Sequence, residues 1–114
     1  MDLLTIDNNV AIPSAYTLTV LEFKDIVDKD KSKGKNVSTK ELAYVYFMCD
    51  HRSPFAVYGE AERKNEVKIN VFGLDSKWSE DPKIQAACLK YKQLTETSAI
   101  RLLKAARESV RKLQ

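Results

Sequence analysis

The sequence predicts an all-α fold of four or five helices in a small bundle or orthogonal array, preceded by an irregular N-terminal arm. Apolar residues recur at helical spacing through most of the chain, and helix-start and helix-stop residues separate these segments. A second clear strand pattern, which a sheet would need, is missing. The 114 residues correspond to one domain. We expect an arm over residues 1–13 and a single helical domain over residues 14–114.

The first helix is predicted from Ser14 to about Asp30. Before it, turn-forming residues that include Pro13 leave the chain without a regular period. From Ser14 onward, apolar residues follow one helical stripe. A polar, glycine-containing segment over residues 31–36 then predicts an exposed loop. The stripe consists of Tyr16, Val20, Phe23 and Val27.

The unbroken apolar run over residues 42–49 is the most informative part of the chain. Such a run must be covered on nearly every side by other elements or by a partner. Its aromatic and β-branched residues would also suit a buried strand. Ser38 and Glu41, however, have the spacing of a capping box, which favours a helix. We expect this helix to end within residues 50–54, because Pro54 disfavours helical geometry in the residue before it.

Residues 58–72 fit two patterns. Apolar residues could share one helical face, whereas residues 67–71 alternate between apolar and polar as in a strand. We favour a helix, because residues 60–66 are strong helix formers. Gly73 lies where such a helix would end.

The last helical segment is predicted to begin at Asp81 and Pro82, a capping residue followed by proline at the first helical position. Two apolar stripes follow, out of phase with each other by one residue. We expect a break at residues 95–97, although a single helix over residues 82–113 with a drifting seam also fits. The first stripe comprises Ile84, Ala87, Tyr91 and Leu94, and the second comprises Ala99, Leu103, Ala106, Val110 and Leu113.

Composition indicates a soluble chain made in the cytoplasm. The net charge is +3, and 44% of the residues are hydrophobic. The longest apolar run is about half the length of a membrane span, so we expect no membrane association. The N-terminus lacks the features of a signal peptide. Cys49 and Cys88 both lie in apolar patterns, which suits buried, reduced thiols.

No motif indicates catalysis, a cofactor or a metal site. Cys49, His51 and the distant Cys88 could supply three zinc ligands, but the paired spacings of structural zinc sites are absent. Asp50, His51 and Ser53 are the residue types of a hydrolase triad, yet neighbours on one short turn cannot easily adopt its geometry. Asp50 and His51 better suit capping of the preceding helix. We expect no enzyme; the alternative is a small enzyme or accessory with an enclosed pocket at this turn.

Two regions are candidates for partner contacts. Arg52 can hold its own turn by bidentate hydrogen bonds, or it can contact an anion or a partner. The C-terminal segment is basic, with charges about one helical turn apart, which would suit a phosphate backbone. The candidates are Tyr44, Tyr46, Phe47, Arg52, Ser53, Pro54 and Phe55 in the first region, and Arg101, Lys104, Arg107 and Arg111 in the second.

The order of several short stretches carries a resemblance. The stretches are KELAYVYF (40–47), DHRSPF (50–55), ER (62–63), VFG (71–73), Trp78 and RLLKAA (101–106). In this order they resemble small structural proteins encoded among the virion genes of tailed bacteriophages, over about residues 15–114.

That resemblance implies a non-enzymatic component of the virion, made in the host cytoplasm and located at the neck or portal vertex. Its partners would be other virion proteins, namely portal, neck or tail subunits, and further copies of itself in a homo-oligomeric ring. Nucleic-acid contact would be indirect. The alternative is a small nucleic-acid-binding or regulatory module that uses the basic C-terminal helix.

Overall fold

A computed structural model describes residues 3–7, 10–95 and 106. Over these residues the chain forms a two-stranded β-hairpin followed by four α-helices. The fold is therefore mainly helical, as predicted, but it is not strictly all-α. The elements are β1 (Leu4–Asp7), β2 (Val10–Pro13), α1 (Leu21–Lys29), α2 (Asn36–Cys49), α3 (Glu60–Phe72) and α4 (Pro82–Thr95), with 3-10 turns at Thr17–Thr19, Lys33–Lys35 and Pro54–Val57.

The prediction of an irregular N-terminal arm is wrong for the described residues, because they form an antiparallel hairpin. Leu4 pairs with Pro13, and Ile6 pairs with Ala11. Leu4 and Ala11 are buried in the core, and both strands pack against α2. A hairpin of this size is marginal alone. Its stability comes from packing against a helix that is distant in sequence, so no local pattern predicted it.

Helix α1 begins later than the predicted Ser14. Phe23 is buried on its inner face, but Tyr16, assigned to the same stripe, is 47% exposed. The chain before α1 is held in a 3-10 turn, where the Thr17 hydroxyl donates to the Leu3 carbonyl oxygen (2.6 Å). This tertiary contact fixes a non-helical start that periodicity alone could not indicate.

Helix α2 is confirmed, but its predicted capping box is wrong. The helix already begins at Asn36, so Ser38 lies inside its first turn. The Asp30 carboxylate instead caps the helix from outside, accepting the Ser38 main-chain amide at Oδ2 (2.7 Å) and the Ser32 amide at Oδ1 (2.9 Å). A buried carboxylate next to this end also suits the positive pole of the helix dipole.

The apolar run of α2 forms the centre of the core. Four consecutive residues, Leu42 to Val45, are fully buried, and α2 contacts both strands and the other three helices. Tyr46 and Met48 remain partly exposed. Most of the run is thus covered by the chain itself. Helix α2 ends at Cys49, one residue before the predicted range of 50–54.

The predicted boundaries at Gly73 and Asp81 are confirmed, whereas the predicted break at residues 95–97 extends outside the described residues. Residues 60–72 are helical rather than extended, and Gly73 ends α3 with a φ of 99°. The Asp81 carboxylate accepts the Ile84 amide at 2.9 Å, which confirms the cap of α4. The predicted second stripe and the basic tail lie outside the described residues, except for Ala106. Within the described ranges, no helix is both long and apolar enough to cross a bilayer.

Candidate functional site

A surface cleft of about 470 Å³ opens where four parts of the chain meet. These parts are the start of the hairpin, the turn that follows it, the segment after α2 and the last turn of α4. Leu3, Tyr16 and Leu94 line what we call its apolar wall, and Asp50, His51 and Arg52 line its polar wall. The cleft can therefore contact both kinds of group. It is open to solvent. Its lining residues are Leu3, Tyr16, Asp50, His51, Arg52, Leu94 and Thr95.

Asp50 organises the polar wall. Its side chain is 2% exposed, and donors from two sides surround it. Oδ1 accepts the main-chain amide (2.8 Å) and Nε (3.0 Å) of Arg52, and Oδ2 accepts Nη2 of Arg52 (3.0 Å). Oδ2 also accepts the Tyr91 hydroxyl from α4 (2.5 Å). The bidentate pair fixes the Arg52 guanidinium at the cleft.

These contacts set the charge of the site. Burial alone would raise the pKa of Asp50, but the hydrogen bonds from Arg52 and Tyr91 outweigh it and lower the pKa to about 2. Burial and the bond to Asp50 raise the pKa of Tyr91 well above its ordinary value. At neutral pH the carboxylate is ionised and weakly basic, which disfavours general-base catalysis.

The turn after α2 is held by side chains that satisfy the helix end. The Ser53 hydroxyl donates to the Phe47 carbonyl oxygen (2.8 Å) and accepts the Phe55 amide (3.1 Å). Arg63 reaches back from α3 and donates to the carbonyl oxygens of Phe47 (2.9 and 2.7 Å) and Asp50 (3.1 Å). A cation is favourable at a helix C-terminus. Sequence reasoning missed Arg63, because nothing local pairs α3 with the end of α2.

The predicted contact residues of the first region divide by burial. Some belong to the core, whereas others remain available at the surface. The buried ones are Tyr44, Phe47 and Ser53, the half-buried ones are Tyr46 and Phe55, and the exposed ones are Arg52 and Pro54. Among these, Arg52 lines the cleft. The second region, Arg101, Lys104, Arg107 and Arg111, lies outside the described residues.

The residue types of the hydrolase triad do not form a relay. His51 Nδ1 lies 3.6 Å from Asp50 Oδ1, but the Ser53 hydroxyl donates to a main-chain carbonyl of α2. Cys49 and Cys88 are reduced thiols on two helices that pack together, α2 and α4. Over residues 3–7, 10–95 and 106, no group of three or more His, Cys, Asp and Glu residues is placed to hold a metal ion.

A second polar cluster joins α1, α2 and the linker before α4. Trp78 Nε1 and Lys29 Nζ both donate to Oε2 of the buried Glu41 (3.1 and 3.4 Å), and Lys29 also reaches Asp81 Oδ2 (3.2 Å). Oε1 of Glu41 is buried without a partner among the described residues. Since Lys29 already lies between the two carboxylates, we interpret this cluster as an internal ion-pair network.

Tyr91 is the other important residue that sequence reasoning placed only in a core stripe. Its ring is fully buried, yet its hydroxyl holds Asp50 in the cleft wall.

Comparison with protein-family models, with curated proteins and with solved structures finds no match to this chain.

Proposed function

We propose that this protein is a structural component of a tailed-phage virion. It would be a small subunit of a head-to-tail assembly, at the portal, neck or ring, and would act through protein contacts rather than catalysis. The cleft carries this proposal, because it places exposed apolar side chains beside a fixed arginine. The resemblance over residues 15–114 supplies the phage context.

The cleft has the features of a protein-binding surface. Tyr16 and Leu94 are 47% and 37% exposed, and the Arg52 side chain is 48% exposed although Asp50 holds it. Tyrosine and arginine are enriched at the residues that contribute most to interface affinity. An arginine that is already ordered loses less conformational entropy on binding. These properties favour a polypeptide partner.

A ring imposes a further requirement on the surface. Head-to-tail contacts between copies use two different patches, one on each side of every subunit. Besides the cleft, other parts of the chain expose large apolar side chains, including Leu21 and Val57. They are candidates for the second patch. The partners in this proposal are further copies of the chain and portal, neck or tail subunits.

The proposal can be tested by following the chain into phage particles. Tyr16→Glu and Leu94→Glu would place a charge in the cleft while leaving Asp50 and Arg52 intact. Leu74→Glu is the matched control, since Leu74 is 77% exposed and does not line the cleft. We expect the unmodified chain and the control in density-purified particles. The amount of each cleft variant in the particles should be at least about tenfold lower, as expected for interface residues that contribute over about 1.4 kcal/mol to binding.

Two results would count against the proposal. A chain that is made in infected cells but missing from purified particles would exclude the virion role. Cleft variants that enter particles as well as Leu74→Glu would exclude the cleft as the contact surface. Circular dichroism and thermal unfolding of all three variants establish that each one is folded.

The spacing of the basic residues supports a second candidate function, direct binding to nucleic acid. Arg101, Lys104, Arg107 and Arg111 recur at about one helical turn. If all four contact phosphates, the logarithm of the binding constant should fall with the logarithm of salt concentration with a slope of about −3 to −4. Replacing all four with Gln should abolish retention on duplex DNA. Absence of retention by the unmodified chain at low salt would exclude this candidate.

A further inference from the structure

Two thiols meet where α2 packs against α4. Cys49 is the last residue of α2 and is buried, whereas Cys88 on α4 is half-buried, and both are reduced thiols. Cys49 Sγ lies 3.7 Å from the Cys88 carbonyl oxygen. Interaction with the Cys49 thiol also raises the pKa of Cys88. The two cysteines are therefore neighbours in the folded chain.

The surrounding structure holds the two cysteines next to each other. Asp50, the residue after Cys49, accepts the hydroxyl of Tyr91, which lies one helical turn after Cys88. Ala87, next to Cys88, is fully buried, and α2 packs against α4. The end of α2 is thus fixed against α4 beside the two cysteines. A disulfide requires such proximity, because its geometry tolerates little variation.

We propose that Cys49 and Cys88 form an intramolecular disulfide when the folded protein meets a low-molecular-weight disulfide such as oxidised glutathione. The bond would lock α2 to α4. It would close a loop between residues 39 positions apart, and cross-links of this kind stabilise a fold mainly by restricting the unfolded chain. This inference is independent of the virion role.

The reaction proceeds by two thiol–disulfide exchanges. Cys88, the more accessible thiol, loses its proton to solvent, and its thiolate attacks the small disulfide and displaces one small thiolate. Cys49 then loses its proton and attacks the Cys88 sulfur, displacing the second small thiolate. Two S–H bonds are broken and one protein S–S bond forms. Two electrons pass to the reagent, whose own S–S bond is reduced to two thiols.

The environment of Cys88 determines how fast this happens. The Cys49 thiol, burial and the charge of Glu80 raise the pKa of Cys88, and Lys92 opposes them. Since the thiolate is the attacking species, the reaction should be slow at neutral pH and faster under alkaline conditions. Buried Cys49 is shielded from thiols of other molecules, so the product should be a cross-linked monomer.

The test is oxidation of the native full-length chain with oxidised glutathione at pH 7 and pH 9, followed by alkylation in denaturant and peptide mapping without reduction. Cys49→Ala and Cys88→Ser are the matched controls. In the unmodified chain we expect that neither thiol is alkylated and that a linked Cys49–Cys88 peptide pair is found. The disulfide should form faster at pH 9 than at pH 7. The midpoint of thermal unfolding should rise by about 5 °C or more and return with dithiothreitol. In Cys49→Ala, a glutathione adduct should persist on Cys88.

Three results would overturn the inference. The first is that both thiols can still be alkylated after oxidation at pH 9. The second is a glutathione adduct that persists on Cys88 in the unmodified chain. The third is that cross-links form only between molecules or only in denaturant. If either variant fails to fold, the linked peptide and the dithiothreitol reversal in the unmodified chain still decide the question.

Discussion

The Asp50 carboxylate is buried yet ionised, because Arg52 and Tyr91 donate to it from the turn and from α4. Removing a carboxylate from water is costly unless hydrogen bonds replace those of the solvent. The same bonds link the end of α2 to α4 and orient the guanidinium at the cleft. A change at this single side chain should therefore affect both stability and the shape of the cleft.

Acid should weaken the fold partly through Asp50. Its pKa is about 2 in the folded chain against an ordinary value of 3.8, so its stabilising contribution is complete above about pH 5 and disappears as the pH falls towards 2. We expect Asp50→Asn to be less stable than the unmodified chain at neutral pH. The difference in the free energy of unfolding between the two proteins should decrease by about 1 to 2 kcal/mol between about pH 5 and pH 2. The change is no larger because solvent screens part of the interaction with half-exposed Arg52.

Urea unfolding of both proteins across that pH range measures the difference. Other carboxylates with lowered pKa values, such as Asp81, affect both proteins equally and cancel in the comparison. Stability curves that remain parallel down to pH 2 would contradict the role assigned to Asp50.

At the scale of the element, α2 depends on a cap that lies outside it. We expect Asp30→Ala to lower the free energy of unfolding by about 1 to 2 kcal/mol, because the Ser38 and Ser32 amides would lose their acceptor. Asp28→Ala is the control, since Asp28 forms an exposed ion pair with Lys24 and its replacement should have a smaller effect on stability. Chemical denaturation measures both, and equal losses would refute the capping role.

The end of α3 offers a second element-scale prediction. Gly73 has φ 99° and ψ 159°, a region almost restricted to glycine, and an added Cβ would meet no atom within 4 Å. Gly73→Ala should thus cost about 1 to 3 kcal/mol from backbone strain alone. Gly59→Ala is the matched control, because Gly59 has φ −63°, a backbone conformation that alanine adopts without strain. Comparable losses at both glycines, measured by thermal unfolding, would disprove the strain argument.

Over the whole molecule, α2 is the element around which the others assemble. The hairpin, α1, α3 and α4 all pack against it, and most of its residues are buried. In α3, by contrast, only Val67 and Val71 are buried. Elements with few buried contacts open at lower free-energy cost than the global unfolding reaction.

Hydrogen exchange should reveal this hierarchy. We expect the amides of residues 42–47 to exchange only through global unfolding, and those of α3 to exchange through local opening at lower free energy. Exchange measured by mass spectrometry or NMR at several denaturant concentrations separates the two processes. Equal protection in α2 and α3 would contradict a core centred on α2.

The sequence by itself determined the mainly helical class, the existence of all four described helices, and the ends at Gly73 and Asp81. These features depend on local physics: apolar periodicity, a cap or a glycine acts within a few residues. The sequence also singled out Asp50, His51 and Arg52 because they follow the apolar run directly. Their chemical environment could not be predicted in the same way.

Only the tertiary structure decided the hairpin, the late start of α1, the Asp30 cap and the cleft. The Tyr91–Asp50 bond joins residues 41 positions apart, and the apolar wall brings Tyr16 and Leu94 together from opposite ends of the described chain. Periodicity identifies which residues share a face, but it does not show what covers that face. For this reason Tyr16 and Leu94 share apolar stripes with residues that are buried, such as Phe23 and Tyr91, whereas packing leaves Tyr16 and Leu94 exposed at the cleft.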